Sequence, residues 1–216
     1  MPLSIYSESS AQEPLTLELV KLQVALPPDE PHPNDPLITD VLIPAVRQRC
    51  EAATGRQLRV VTFDWTLDGY GFPGGVIEVP RPPLLDVVHM KHYDSTGTLQ
   101  TLVLDTDYIV QAINSEKAAR GRIALPYGRS WPTVRGQMGD VTIRFRAGYG
   151  AAGGPQVPAF LKLAMLQHAA NAYRYRGDDD TRDMAAAVES TEHGWVRKAY
   201  WSWKSHPTQA LDGVAV

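Results

Sequence analysis

Cysteine is almost missing from this chain. A single Cys50 excludes an intrachain disulfide and any metal site built mainly of thiolates. Such usage fits a protein folded in a reducing cytosol. No apolar run approaches the roughly 20 residues of a membrane span. Met1 to Ser10 carry neither a basic n-region nor an apolar h-region, so no secretory signal is expected. Strong net charge is missing too. The balance of 21 Lys and Arg against 24 Asp and Glu leaves -3, and bulk electrostatics then gives no reason to expect nucleic-acid affinity. Catalytic signatures are absent: there is no G-x-S-x-G elbow, no H-E-x-x-H and no P-loop. No repeat of solenoid length occurs.

What remains is a chain of 216 residues, 44% hydrophobic and 21% charged, the composition of a soluble globular protein. It can build one large domain, or one domain with a lobe. Residues 1 to 13 are polar and expected to be mobile. Thr16 is placed to cap a first helix over Leu17, Leu19, Val20, Leu22 and Val24, which stops before Pro27 and Pro28. Pro27 to Pro33 reads as a stiff linker of prolines and acids. Asn34 or Asp35 is expected to cap a second helix, Leu37 to Ala53, with Gly55 ending it in a left-handed turn. Pro44 predicts a kink inside that helix, because its ring removes a ladder bond and crowds the carbonyl four residues back.

From Gln57 the period changes to two. Val61, Phe63, Trp65 and Leu67 share one face, and Val60, Thr62, Asp64 and Thr66 the other. Short strands are predicted at Val76 to Val79, Leu84 to Tyr93, Leu99 to Val103, Tyr108 to Ile113 and Arg122 to Leu125, with a last one at Val141 to Ala147. Val157 and Pro158 then restart a helix whose apolar face is Leu161, Ala164, Met165, His168 and Ala172. A fourth helix, capped by Asp180 or Thr181, is expected through Met184 and Val188. The expected fold class is α+β: a helical bundle of about four helices with an antiparallel β-sheet or small-barrel lobe inserted between helices two and three. The expected domains are 1–56 with 151–216 as a helical core, and 57–150 as a β-rich lobe.

The chemistry offered by single motifs is thin. Gly69, Gly71 and Gly74 spell G-x-G-x-x-G, but Pro73 lies inside the match and a strand, not a helix N-terminus, follows, so a hairpin loop is the expected reading and no cofactor is implied. His89 and His92 lie on a strand and point to opposite faces, so they do not chelate one ion. His168 reads as a core or interface histidine. Asp178, Asp179, Asp180 and Asp183 lack the spaced ligands and glycine of a calcium loop. Cys50 reads as a buried, inert thiol. No catalytic, cofactor or metal residue is assigned.

Two features point to association. Residues 1 to 40 hold Glu8, Glu13, Glu18, Asp29, Glu30, Asp35 and Asp40 against Lys21 alone. Residues 117 to 146 hold Lys117, Arg120, Arg122, Arg129, Arg135, Arg144 and Arg146 against Asp140 alone. Either this is solvated surface, or the acidic end of one copy meets the basic end of the next in a head-to-tail ring. Arg120, Arg122, Arg144, Arg146, Asp29 and Glu30 are the candidate inter-subunit residues. The second feature is an aromatic cluster, Trp195, Tyr200, Trp201 and Trp203, beside Arg197 and Lys198.

The order of these pieces resembles the head–tail connector (adaptor) family of long-tailed bacteriophages, in its subgroup with a β-rich insert. The resemblance covers about Leu15 to Arg176. It rests on Leu15-Thr16-Leu17-Glu18, Asn34-Asp35, Glu51-Ala52-Ala53-Thr54-Gly55-Arg56-Gln57-Leu58, Ile77-Glu78-Val79-Pro80-Arg81-Pro82-Pro83-Leu84, Tyr127-Gly128 to Trp131-Pro132, and Val141 to Gly150 with Val157-Pro158. Pro44, the Pro27 to Pro33 linker and the extended C-terminus depart from the family pattern. The resemblance implies a non-enzymatic structural virion protein, made in the host cytoplasm and placed at the head–tail junction. It implies a ring, commonly of twelve copies, beneath the portal protein. That ring extends the DNA channel, lets packaged DNA pass without sequence-specific binding, and offers a platform to a stopper or tail-completion protein. No membrane partner is implied. By position, Trp195, Arg197, Tyr200, Trp201 and Trp203 become candidate portal contacts. A tail-completion or DNA-end-binding module is the alternative reading.

Overall fold

The structure is a computed structural model that describes residues 3–8, 13–67, 71–111, 113–114, 120–174, 198 and 200. The described chain divides into two compact units, one holding residues 3–8 and 59–156, the other residues 13–58 with those described after 156.

The first unit is built on alternation. Val61, Phe63 and Trp65 on β2 (Val61–Thr66) are buried, as are Val141, Ile143, Phe145 and Ala147 on β8 (Val141–Ala147). The intervening residues point the other way, as a two-residue period demands. The two strands pair antiparallel with Phe63 opposite Phe145, their rings 5.4 Å apart. β4 (Leu84–Tyr93) pairs on the far side of β8, β5 (Leu99–Leu102) pairs on β4, and β1 (Leu3–Glu8) closes the near edge against β2. The sheet order is therefore β1-β2-β8-β4-β5. A second antiparallel sheet has the order β3-β7-β6, from Ile77–Glu78, Arg122–Ala124 and Ile109–Gln111. Ile77, Val79, Tyr108 and Ile123 from this side join Phe63, Trp65, Met90, Ile143 and Phe145 in one apolar cluster. The two sheets thus share one core, which is what excluding water from both inner faces requires.

Gly148 marks the end of β8. Its φ is +131°, and a Cβ there would lie 2.1 Å from the Arg59 carbonyl oxygen. Only glycine permits that approach, and its N–H donates to the Pro83 carbonyl at 2.9 Å.

The second unit is helical. Thr16 caps α1 (Leu17–Gln23) by accepting from the Leu19 N–H at 3.4 Å. A π-helical segment, Leu37–Leu42, leads directly into α2 (Ile43–Thr54). Gly55 ends α2 at φ 69° and donates to the Glu51 carbonyl. α3 (Ala159–Arg174) buries Leu161, Ala164, Met165 and His168 on the expected face.

Several expectations are corrected. The chain is a β-rich α+β fold, with three α-helices, one π-helical segment and eight strands among the described residues. It is not a bundle of about four helices with an inserted lobe. The larger core is sheet against sheet, and that sheet includes a strand that precedes α1. Leu3–Glu8, expected to be mobile, supplies this strand, because a sheet edge offers unpaired backbone groups that an extended segment can satisfy. Pro44 lies where the helical run changes pitch, at the passage from the π-helical segment into α2. The Ile43 N–H reaches back to the Ile38 carbonyl, and Pro44 then falls in the first turn of α2, where no N–H is needed. Neither Asn34 nor Asp35 caps that helix by its side chain; Asn34 Nδ2 donates to the Tyr173 hydroxyl at 2.9 Å, and Asp35 is used elsewhere. The expected fourth helix lies outside the described residues, and beyond Arg174 only Lys198 and Tyr200 are described, both helical.

Candidate interface surfaces

The outer face of the five-stranded sheet gathers the charge. Asp64, Arg144 and His89 lie abreast on β2, β8 and β4. Arg144 donates from Nε to Asp64 Oδ1 at 2.6 Å and from Nη2 to Oδ2 at 2.7 Å. Its guanidinium carbon also sits 3.3 Å from the ring centre of Tyr6, the residue at the β1 irregularity. The hydrogen bond from Arg144 holds the Asp64 carboxyl below its usual range, against the opposing cost of burial. Burial, with Lys91 and Arg144 nearby, lowers the pKa of His89. One row on, Arg146 forks onto Asp86 of β4, its Nε 3.0 Å from each carboxylate oxygen. This pair rims a cleft of about 320 Å³, lined also by Leu85, Asn114 and the loop from Ala151 to Gly154.

Beyond β7 the chain makes two turns of similar build. The Arg129 N–H donates to the Pro126 carbonyl at 3.2 Å, with Gly128 at φ 74°. The Asp140 N–H donates to the Gln137 carbonyl at 3.3 Å, with Gly139 at φ 84°. Glycine at the third position with positive φ is the mark of a type II turn. Each turn pushes a large apolar residue outward: Tyr127 is 106% exposed and Met138 76%. The connection between them is braced. Trp131 stacks on Phe72 at 4.6 Å, and Arg135 lies over the Tyr93 ring and donates Nη2 to Asp140 Oδ1 at 2.7 Å. Burial alone would raise the Asp140 carboxyl, but hydrogen bonds from the Gln137 N–H and Arg135 outweigh it and lower its pKa.

In the helical unit the acidic linker is pinned from below. Lys21, 1% exposed, donates Nζ to the Glu30 carbonyl and to Asp35 Oδ2, the latter at 3.3 Å. Asp35 Oδ2 also accepts from the His32 N–H at 3.0 Å, which is the first cause of its lowered pKa. Asp29 and Glu30 are exposed above this anchor. Deeper in the same unit Arg47 bridges Glu13 and Glu51, while Glu51 Oε1 accepts from Gln57 and from the Leu58 N–H.

The residues singled out by sequence therefore fall into distinct settings. Arg144 and Arg146 are engaged by carboxylates of their own sheet. Arg122 is exposed on β7, and Arg120 stands half-buried just before that strand. Tyr200 is buried, its hydroxyl 3.5 Å from His168 Nδ1, while Trp195, Arg197, Trp201 and Trp203 lie outside the described residues. Cys50 is buried. His92 points into the core and His89 away from it. Burial lowers the His92 pKa. Gly71 and Gly74 precede strand β3, not a helix, and Gly69 lies outside the described residues. Among the described residues no three His, Cys, Asp or Glu side chains gather as metal ligands, and no helix is long and apolar enough to cross a membrane. Tyr127 and Met138 were not foreseen as surface features, although Pro-Tyr-Gly-Arg is a readable turn signature.

No family model matches the chain, and no curated protein sequence matches it. Solved structures do share its fold. A chain in the virion of a native gene transfer agent (GTA) particle superposes with a TM-score of 0.67 at 20% identity, covering 99% of both chains. A chain in the neck of an empty GTA particle, computed with C6 symmetry, gives 0.63 at 21% identity, again over 99% of both. A chain in the neck of a native GTA particle, computed with C12 symmetry, gives 0.52 at 21% identity, over 95% of this chain and 99% of that one. The fold of this protein is one found in the neck of a phage-like particle.

Proposed function

We propose that this protein is a non-enzymatic structural component of a virion, a head–tail adaptor. In this reading copies close into a ring of twelve beneath a portal protein at the head–tail junction. The ring extends the DNA channel and offers a platform to a stopper or tail-completion protein. The observation that carries the proposal is the likeness of nearly the whole chain to chains of GTA necks, particles computed with six-fold and twelve-fold symmetry. That likeness spans nearly the full length of both chains, so the analogy is one of whole folds and not of a borrowed module.

Electrostatics supports it. Duplex DNA that must slide is better served by a wall that does not collect phosphates, since each neutralised phosphate tightens binding. Arg135, Arg144 and Arg146 are each paired with a carboxylate of this chain, so much of the basic segment read from the sequence is neutralised locally. Electron microscopy of the purified protein, alone and mixed with portal, tests the reading. Rings or portal-capped particles are expected; a protein that stays single and ignores portal would overturn it.

A further inference from the structure

Two exposed pieces of this chain are held rigid without any folding reason to be exposed. The first is the turn Pro126-Tyr127-Gly128-Arg129. Its hydrogen bond and the positive φ of Gly128 fix the backbone, and Tyr127 stands wholly in solvent. Arg129 beside it is exposed and has no acidic partner among the described residues. Burying nothing, an aromatic ring at such a tip contributes little to folding, and Tyr and Arg are the residue types that most often anchor protein contacts. The second piece is the segment from Pro27 to Pro33. Four prolines restrict its backbone, and Lys21 and Asp35 pin it from inside. Asp29 and Glu30 are exposed on it and likewise lack a cationic partner for their carboxylates among the described residues. A rigid aromatic with a neighbouring cation, and a rigid proline-rich segment with two acids, match in shape class and in charge. Both are already ordered, so joining them costs little conformational entropy.

We propose that the Tyr127–Arg129 turn of one copy docks on the Pro27–Pro33 segment of the next copy, with Tyr127 against the prolines and Arg129 against Asp29 and Glu30. The two surfaces differ, so the contact is heterologous and repeats head to tail, the kind of contact that builds a ring when its rotation closes. The inference rests on the ring reading above and names its contact.

Two charge-reversed proteins test it: Arg129→Glu, and Asp29→Arg with Glu30→Arg. Assembly is followed by light scattering and electron microscopy of the full chain at low salt. Each variant alone is expected to assemble about tenfold more weakly than wild type, the effect of roughly 1.4 kcal/mol. Mixed together they are expected to recover, because each then meets a complementary surface on the other. Tyr127→Ser, which changes no charge, is expected to weaken assembly at low and high salt alike. Variants that assemble like wild type, or a mixture that recovers nothing, would overturn this contact while wild-type rings left the ring reading standing. A wild-type protein that forms no ring would overturn both.

Discussion

Arg144 and Asp64 face each other across the β8–β2 ladder, separated by 80 residues in sequence and joined by two hydrogen bonds of 2.6 and 2.7 Å. The fork also sits against Tyr6, so one guanidinium links β1, β2 and β8. Asp64→Asn is expected to cost about 1 kcal/mol, the scale of a partly exposed charged pair with good geometry. The pH dependence follows from the lowered carboxyl of Asp64. Its stabilisation is complete above the unfolded value near 4 and is lost as pH falls through the lower folded value. Urea unfolding of both proteins at pH 7 and pH 3 checks this: the gap should narrow at the lower pH.

Gly148 supplies a sterically sharper test. A methyl group at φ +131° and 2.1 Å from the Arg59 carbonyl cannot be accommodated without moving β8 away from residue 59. Gly148→Ala is expected to cost more than about 2 kcal/mol. A variant that melts within a degree or two of wild type would show that this approach is not required.

The alternation that made single strands readable also explains what was not readable. Leu84 to Tyr93 is a strand with the bounds its sequence predicts, and Val61, Phe63 and Trp65 face the core as expected. Pairing order is different: β8 lies between β2 and β4, a choice made by inner-face packing across distant segments that no local window contains. β1 was missed because Ile5 and Tyr6 remain exposed, so its apolar residues do not announce a buried face. The charge asymmetry was visible, yet the partners of Arg144 and Arg146 were not, since Asp64 and Asp86 lie outside the window that looked basic.

The buried Arg47–Glu51 pair is expected to dominate the local stability of the helical unit. Glu51 receives Arg47, Gln57 and the Leu58 N–H, and it is almost fully buried. Glu51→Ala removes the shared acceptor and leaves a buried cation with Glu13 as its remaining carboxylate in this network. A loss of about 3 kcal/mol follows from breaking such a pair. Hydrogen exchange at the amides of α2 is the readout, and unchanged protection there would contradict it.

The turn between β4 and β5 depends on one carboxylate. Asp94 Oδ1 accepts from the Thr96 N–H, the Thr96 hydroxyl and the Thr98 N–H, and Oδ2 accepts from Gln100. The side-chain bonds from Thr96 and Gln100 lead in holding this carboxyl far below its usual range. A depressed carboxylate keeps its bonds until the pH drops through that low value. Thr96 and Thr98 amides are therefore expected to keep their protection at pH 4 and to lose it in Asp94→Ala. Equal exchange in both proteins would mean the turn is held by its backbone alone.

Reversing different arginines should separate assembly from folding. Arg122 is exposed and makes no close ion pair among the described residues, with Glu78 opposite it on β3, whereas Arg144 is committed to Asp64. Charge that is free to act at a distance steers encounter between copies, and salt screens it. Arg122→Glu is thus expected to slow assembly at low salt and to do so less at high salt, while lowering the melting temperature only slightly, since it sets a carboxylate opposite Glu78 at an exposed position. Arg144→Glu sets two carboxylates face to face and is expected to lower the melting temperature at either salt, weakening assembly through the fold. The double change Arg144→Asp with Asp64→Arg restores opposite charges across the ladder and should recover most of the stability. If Arg122→Glu assembled at the wild-type rate in low salt, the exposed arginine on β7 would have no part in bringing copies together.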